Sequence, residues 1–518
     1  MYLTQGLHRA LQQHPDRIAT LFPGRQRTYR EFGDRVACLA GALLGLGLGR
    51  GDRVAMLALN TDRYLEYQMA VVWAGGVLNP INIRWSPPEI VHALNDSAST
   101  ILLVDEVFCS SVDALRSGAY ALREVIYCGD GEAPEGMHGY ESLIAAATPV
   151  PDAERSGNDL AGIFYTGGTT GSPKGVMLSH ANLCVEGLSL LACGFIRPGI
   201  YLHAAPMFHI ADYSNSVAHS MVGNTHSIIP MFTPEAVLRA IERDRVTSLV
   251  LVPTMLQMLV DDPAMHQPRD LSSVRTIGYG ASPISEATLI RVLAAFPGVE
   301  FVQAYGMTEV SASATLLGPD CHTVEGRKRG KLRSAGRALP SVEVKIVDPD
   351  DQEVPRGTVG EVVVRGPTVM LGYWNRPEET QATLRGGWMH TGDGAYMDDE
   401  GYIFIVDRLK DMIVSGGENV YCAEVEGAVS QHPAVAACAV IGIPSDRWGE
   451  VAHAVVVLKP GHTVVAEDLI AHCRTMIAGF KCPRSVAFVD ALPLSGAGKV
   501  LKTKLREPFW QGRQRGVS

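Results

Sequence analysis

Short apolar runs alternate with helical periodicity along most of this 518-residue chain, and that alternation restricts its fold more than any other feature. The stretch Asp52-Arg-Val-Ala-Met-Leu-Ala-Leu59 reads as a strand and leads into a helical pattern over Asp62–Trp73. Residues 246–253 read as a strand before a helix that starts near Thr254. Residues 274–278 precede a helix over Glu286–Ala295, which a strand at 299–303 follows. Strand and helix in this order predict βαβ units and a mostly parallel sheet covered on both faces.

The pattern changes after about residue 335. Residues 342–347, a turn at Asp348-Pro-Asp-Asp-Gln and residues 360–365 read as antiparallel β-structure, with the Pro-Asp-Asp cluster supplying the turn. A second change falls at Asp407-Arg-Leu-Lys410. Beyond it the pattern gives a helix at 423–431, strands at 435–441 and 451–458, and a helix at 466–478. A segment of about a hundred residues can bury a core of its own. The expected organisation is α/β: a large N-terminal domain, residues 1–409, of doubly wound sheets plus a β-subdomain, and a small α+β C-terminal domain, residues 410–518.

Composition narrows the class. Apolar residues make up 46% and charged residues 19%, an ordinary globular balance, and a formal charge of −10 speaks against nucleic acid as a partner. The 53 glycines and 30 prolines call for many turns and backbone-contact loops. Ten cysteines occur with no CxxC; the closest pairs, Cys184/Cys193 and Cys473/Cys482, fit neither a zinc site nor a disulfide scaffold, so reduced thiols are expected. The N-terminus reads as an amphipathic helix rather than a signal peptide, and no apolar run approaches the ~18 residues of a membrane span. A soluble cytoplasmic protein is the expectation, with a homodimer left open. The basic run Arg327-Lys-Arg-Gly-Lys-Leu-Arg333 reads as a solvated loop, the alternative being contact with membrane lipid or a CoA phosphate.

One segment carries chemistry. Tyr165-Thr-Gly-Gly-Thr-Thr-Gly-Ser-Pro-Lys174-Gly follows a strand pattern at 161–165 and precedes a helix for which Ser179 is the expected N-cap. Backbone N–H groups and hydroxyls in such a loop can surround a polyphosphate, glycine permits close approach, and lysine adds a point charge. It is not a Walker A loop, because Pro173 rather than glycine precedes Lys174.

This loop resembles the signature of the AMP-forming adenylate superfamily, which holds acyl-CoA synthetases, amino-acid adenylation domains and luciferases. Gly167 stands where that signature usually has serine. Further segments match the family's motifs in order: Gly280-Ala-Ser-Pro283, Tyr305-Gly-Met-Thr-Glu309, Gly387-Trp-Met-His-Thr-Gly-Asp393, Asp407-Arg-Leu-Lys-Asp411, Ser415-Gly-Gly-Glu-Asn-Val-Tyr421 (with Cys422 in place of a common proline) and Gly498-Lys499. The resemblance runs from about residue 10 to about 507. It implies a mobile C-terminal domain, ATP and coenzyme A as co-substrates, and Mg²⁺ as cofactor.

Residue by residue, the resemblance assigns ATP and AMP binding to Thr166, Gly167, Gly168, Thr169, Thr170, Gly171, Lys174, Gly280, Ala281, Ser282, Tyr305, Gly306, Thr308, Asp393, Arg408 and Lys499. Within that set Tyr305 stacks on adenine, while Asp393 and Arg408 hold the ribose. Glu309 binds the metal; Lys499, Thr166, Glu309 and His209 are the catalytic candidates. Lys410 is the hinge; Gly416, Gly417 and Trp448 face CoA; His209, Ala211, Gly280, Gly306 and Met307 line the acyl pocket. Taken singly, Tyr305 could be a core aromatic, Glu309 an acid at a helix start, Asp393 a turn residue, Lys499 a solvated lysine, His209 a satisfied core histidine and Trp448 an ordinary packed indole. Their joint order favours function.

The chemistry asks for such groups. A carboxylate lacks a leaving group, and attack on the α-phosphorus of ATP supplies one as pyrophosphate departs. The acid is already ionised, so no general base is required, and no His–carboxylate dyad stands out in the sequence. Charge neutralisation between an anionic nucleophile and a triphosphate is the need. At an effective dielectric of ~20, a unit pair ~4 Å apart is worth roughly 4 kcal/mol, about three powers of ten in rate. The expected function is an AMP-forming acyl-CoA synthetase for a fatty or aromatic acid. The alternatives are an acyl-AMP ligase delivering to a carrier protein, an aryl-CoA ligase for cinnamate- or benzoate-type acids, and a non-catalytic homologue. Small residues at 211, 280, 306, 312 and 314 suggest a roomy pocket, and Asp212 is the candidate partner for an amino-acid ammonium.

Overall fold

Helix Asp62–Trp73 is buried along its whole length, charged residues included. It packs on strands of both large sheets, so neither face meets water. Thr61 caps its start by accepting from the Arg63 N–H. Asp62 pairs with Arg25 at 2.8 Å, and Glu66 pairs with Arg35 at 2.7 Å while accepting from the Tyr140 hydroxyl. Buried carboxylates survive there because each is matched by a cation or a donor.

The computed structural model describes residues 1–166, 173–282, 284, 286–409, 411–416, 418–494 and 500–511. Among these, four sheets carry the fold. The first has nine strands in the spatial order Arg337–Ala338, Thr315–Leu317, Glu300–Tyr305, Thr276–Gly280, Ser248–Leu251, Ile200–His203, Thr225–Ile228, Ile18–Phe22 and Arg25–Thr28. Its six central strands, Glu300–Tyr305 through Ile18–Phe22, run parallel. The second has eight strands, ordered Gly372–Tyr373, Lys174–Ser179, Leu160–Thr166, Val77–Pro80, Arg53–Leu57, Ile101–Val104, Glu124–Tyr127 and His138–Gly139. A third, wholly antiparallel sheet joins Glu343–Val347, Gly360–Arg365, Met389–Met397 and Ile403–Arg408. The fourth, Glu418–Val420, Ile413–Ser415, Gly449–Leu458 and Val435–Ser445 with Ser485–Phe488 alongside, packs its own apolar cluster around Ile413, Val425, Val440 and Leu469.

Helices Asp62–Trp73 and Glu286–Ala295 and strand Gly360–Arg365 fall where the sequence pattern puts them. The phosphate-loop context differs in one respect. Residues 167–172 join two antiparallel strands, Leu160–Thr166 and Lys174–Ser179, and only then does helix His180–Ala192 begin. Ser179 caps that helix in a reciprocal box with Asn182. Helix Ala466–Arg474 stops short of the expected residue 478, where the Thr475 hydroxyl bonds back to the His472 carbonyl. Lys331 of the basic run is buried rather than solvated: it pairs with Asp398 at 2.6 Å and Glu400 at 2.7 Å over the Tyr402 ring. All ten cysteines are free, and among the described residues no helix is long and apolar enough to cross a membrane.

Candidate functional site

Parallel strands collect ligands at their C-terminal ends, because the following loops converge there. Strands Thr276–Gly280 and Glu300–Tyr305 lie in register with Gly280 opposite Ala304, and both run out into a cavity of about 870 Å³. Its wall also takes Tyr165, Thr166 and Lys174 from the second sheet, Thr391, Gly392 and Arg408 from the third, and Leu494, Leu501 and Lys504 from the C-terminal segment.

Backbone geometry makes room at this mouth. A Cβ on Gly280 would sit 2.3 Å from the Ala304 carbonyl, and one on Gly306 the same distance from the Ala312 carbonyl. Ala281 and Ala312, both in the wall, hold left-handed φ values of 69° and 113°, conformations alanine adopts only under constraint.

Three polar clusters stand around the opening. In the first, Thr166 lies opposite Lys174 across the hairpin. The Lys174 ammonium pairs with Glu379 and sits 5.2 Å from the centre of the Tyr373 ring. In the second, the Tyr373 hydroxyl donates to Glu309 Oε1 at 2.8 Å. Burial, with Glu309 beside it, raises the Tyr373 phenol above its ordinary value, so it stays a donor. Glu309 is itself buried, its backbone carbonyl accepting from the Met370 N–H at 2.8 Å. In the third, Asp393 and Arg408 are cross-strand partners, and Arg408 Nε meets Asp393 Oδ1 at 2.9 Å. The other oxygen of Asp393 accepts from the Tyr305 hydroxyl at 2.8 Å. Asp393 and then burial act in opposite directions on Arg408, and the carboxylate prevails, raising the guanidinium above its usual value.

The structure therefore brings Thr166, Lys174, Gly280, Ala281, Gly306, Met307, Thr308, Glu309, Arg408, His209 and Ala211 to one cavity. Tyr305 and Asp393 stand one step behind the wall, tied to Arg408. Ser282 follows Ala281 in the chain without lining the cavity. His209 caps helix Ile210–Met221, its Nδ1 accepting from the Ala211 N–H at 3.3 Å. Gly416 and Trp448 meet each other: the Gly416 N–H donates to the Trp448 carbonyl at 2.8 Å, and a Cβ on Gly416 would strike the indole at 2.8 Å. Neither lines this cavity. Gly167, Gly168, Thr169, Thr170, Gly171, Lys410, Gly417 and Lys499 lie outside the described residues.

Two sequence readings need correction. His–carboxylate dyads do exist: His390 Nδ1 lies 2.8 Å from Glu361 Oε2 in the cavity wall, and His203 Nδ1 lies 2.7 Å from Asp212 Oδ2. The His203 and Asp212 side chains are fully enclosed, and Tyr201 closes the other Asp212 oxygen at 3.1 Å, so that dyad reaches no substrate. For the same reason Asp212 is unavailable to a substrate ammonium. Tyr373 and Glu379 went unread in the sequence, and Thr391 was read only as part of the motif over residues 387–393. No spacing rule links Tyr373 to Glu309; the local sign is Gly372, whose φ of 142° turns the chain into the short strand that delivers Tyr373.

The residues present suit a magnesium ion. Among the described residues no group of three or more His, Cys, Asp or Glu side chains forms a protein cage. One carboxylate, Glu309, oriented by the Tyr373 hydroxyl, lines the cavity, which suits Mg²⁺ shared with phosphates.

Residues 7–374 match the family model described as AMP-binding enzyme, and residues 424–499 match its AMP-binding enzyme C-terminal domain. A feruloyl-CoA synthase from Amycolatopsis sp is 41% identical over 505 residues, covering 97% of this chain and 98% of that protein. Among solved structures, o-succinylbenzoate CoA synthetase (MenE) from Bacillus subtilis, in complex with the acyl-adenylate intermediate OSB-AMP, superimposes with a TM-score of 0.85 at 31% identity, 97% of each chain being covered. ATP-bound MatB from Rhodopseudomonas palustris gives 0.88 at 31% identity, over 98% of this chain and 99% of that one.

Proposed function

Given that the chain belongs to the AMP-binding enzyme family and is an AMP-forming acyl-CoA ligase using ATP and CoA, we propose that its acid is aromatic, of the arylpropenoic kind. One observation carries this reading: the cavity that receives Thr166, Lys174 and Glu309 is also lined by a run of small residues, Gly278, Gly280, Ala304 and Gly306, whose missing side chains leave room for a ring. The similarity to a feruloyl-CoA synthase supports it.

In this reading Thr166, Lys174 and the loop between them hold the triphosphate. Asp393, fixed by Arg408 and Tyr305, takes the ribose hydroxyls. Lys174 and Lys499 neutralise charge as the carboxylate oxygen attacks the α-phosphorus, forming the mixed anhydride and releasing pyrophosphate. Glu309, oriented by Tyr373, would hold Mg²⁺, which neutralises triphosphate charge. Leu494 and Leu501, on either side of Lys499 in sequence, line the cavity, which suits this first half-reaction.

The thiolate of CoA then attacks the acyl carbon and AMP leaves. Residues 410–518 turning as a unit at Lys410 would clear Lys499 from the approach and present Gly416, Gly417 and Trp448 to CoA. The test is CoA-dependent AMP release across short- to long-chain fatty acids, benzoates and cinnamates. Turnover of cinnamates well above aliphatic acids is expected. A preference for aliphatic acids, or ADP as product, overturns the proposal.

A further inference from the structure

The cavity floor is built in rows across parallel strands. Tyr201, Ser248 and Thr276 stand side by side in register, followed two residues along by Val250, Gly278 and Val302, and then by Gly280 and Ala304 at the nucleotide end. All of these residues line the cavity. Each step of two residues advances about 6.6 Å, so the deepest row lies about 13 Å behind Gly280. The middle row is apolar and thin at its centre, where a Cβ on Gly278 would press on Val250 at 2.9 Å. The deepest row is polar. The Ser248 hydroxyl oxygen is buried with no partner among the described residues.

His219 lies against Tyr201, at one end of that polar row. Helix Ile210–Met221 points Ala211, Asn215 and His219 at the cavity, one turn apart on a single face. The His219 ring stacks on Tyr201 with centroids 4.3 Å apart and planes within 19°. Its protonation pattern is set by Asn224. That amide accepts from the Gly199 N–H at 3.0 Å, which orients its nitrogen to donate to the Arg197 carbonyl and to His219 Nδ1, both at 2.8 Å. Nδ1 is thus an acceptor, and the proton of the neutral ring resides on Nε2, which has no partner among the described residues. Burial, then the neighbouring His203, lowers His219 from 6.5 to about 3, so the ring remains neutral at physiological pH.

We propose that His219 Nε2–H, at the Tyr201 end of the Tyr201–Ser248–Thr276 row, is a distal subsite that donates a hydrogen bond to an oxygen at the end of the acid remote from its carboxylate. The ordered sequence of nucleotide end, apolar middle and polar end matches an acid with a ring in its centre and a hydroxyl or ether beyond it. A plain alkyl tail in the same place would bury the His219 Nε2–H without a partner, which is costly. This inference rests on the aromatic reading above and adds the residue that selects among aromatic acids.

The test compares 4-methoxycinnamate with its apolar isostere 4-ethylcinnamate, and with unsubstituted cinnamate, by ATP–pyrophosphate exchange. The wild type should favour methoxy over ethyl by about tenfold in kcat/KM, because a site built to donate discriminates against a partner that cannot accept. His219→Phe should bring that ratio close to one while cinnamate turnover remains, which also reports a folded enzyme. His219→Gln, which keeps a donor, should restore part of the preference. A wild-type ratio near one overturns the proposal without any variant, as does an unchanged ratio in His219→Phe. If the wild type turns over aliphatic acids but none of the three cinnamates, the aromatic reading itself fails and takes the subsite with it.

Discussion

The Tyr373 hydroxyl donates a 2.8 Å hydrogen bond to Glu309 across 64 residues of sequence, and the same ring lies 5.2 Å beneath the Lys174 ammonium. One aromatic side chain thus sets the distance between the proposed metal-binding carboxylate and the proposed phosphate-binding cation. A hydrogen bond to a charged acceptor is worth about 1.5–3 kcal/mol.

Tyr373→Phe should therefore lower ATP–pyrophosphate exchange by roughly tenfold or more, with the deficit largest at limiting Mg²⁺. Conversion of supplied acyl-AMP to thioester should be spared. A magnesium titration of the exchange rate checks this; an unaltered magnesium dependence would remove Tyr373 from the arrangement.

Asp393 answers both Arg408 and Tyr305, so its charge matters more than its shape. Asp393→Asn keeps the volume and leaves the half-buried guanidinium without its carboxylate. We expect KM for ATP to rise about tenfold or more, with a smaller fall in kcat. Steady-state kinetics with ATP varied, beside Tyr305→Phe as the milder change, decides it.

Lys499 is proposed to act in adenylation alone. Lys499→Ala should lose acyl-AMP formation by orders of magnitude while still making thioester from acyl-AMP and CoA. Measuring the two half-reactions separately is decisive, because equal losses in both contradict the assignment.

Burial lowers His180 and His322 from 6.5 to about 4 each. A histidine held neutral in the folded chain and free to charge in the unfolded one stabilises the fold fully above pH 6.5. That contribution shrinks as pH falls toward 4, by roughly 3 kcal/mol per group. Thermal unfolding should show Tm level above pH 6.5 and falling steeply below it. His322→Gln should flatten that slope; a Tm indifferent to pH between 7 and 4.5 refutes the account.

Local and contiguous features were legible in the order of residues. Alternating periodicity set the parallel sheets, because each strand and helix buries its own face whatever its neighbours are. The Ser179 cap and the bounds of Asp62–Trp73 were legible for the same reason, being decided within a turn of chain. Motifs placed Thr166, Lys174, Glu309 and Arg408 in one site, since each carries its chemistry in a short run.

Tertiary structure alone decided which groups meet across distance. Strand register lined Tyr201, Ser248 and Thr276 into one row. Packing sealed His203 against Asp212, turning what would be reactive on a surface into a buried structural pair. It also left the His219 nitrogen facing the cavity. Such pairings depend on register and packing between segments far apart in the chain, and no local pattern of residues encodes them.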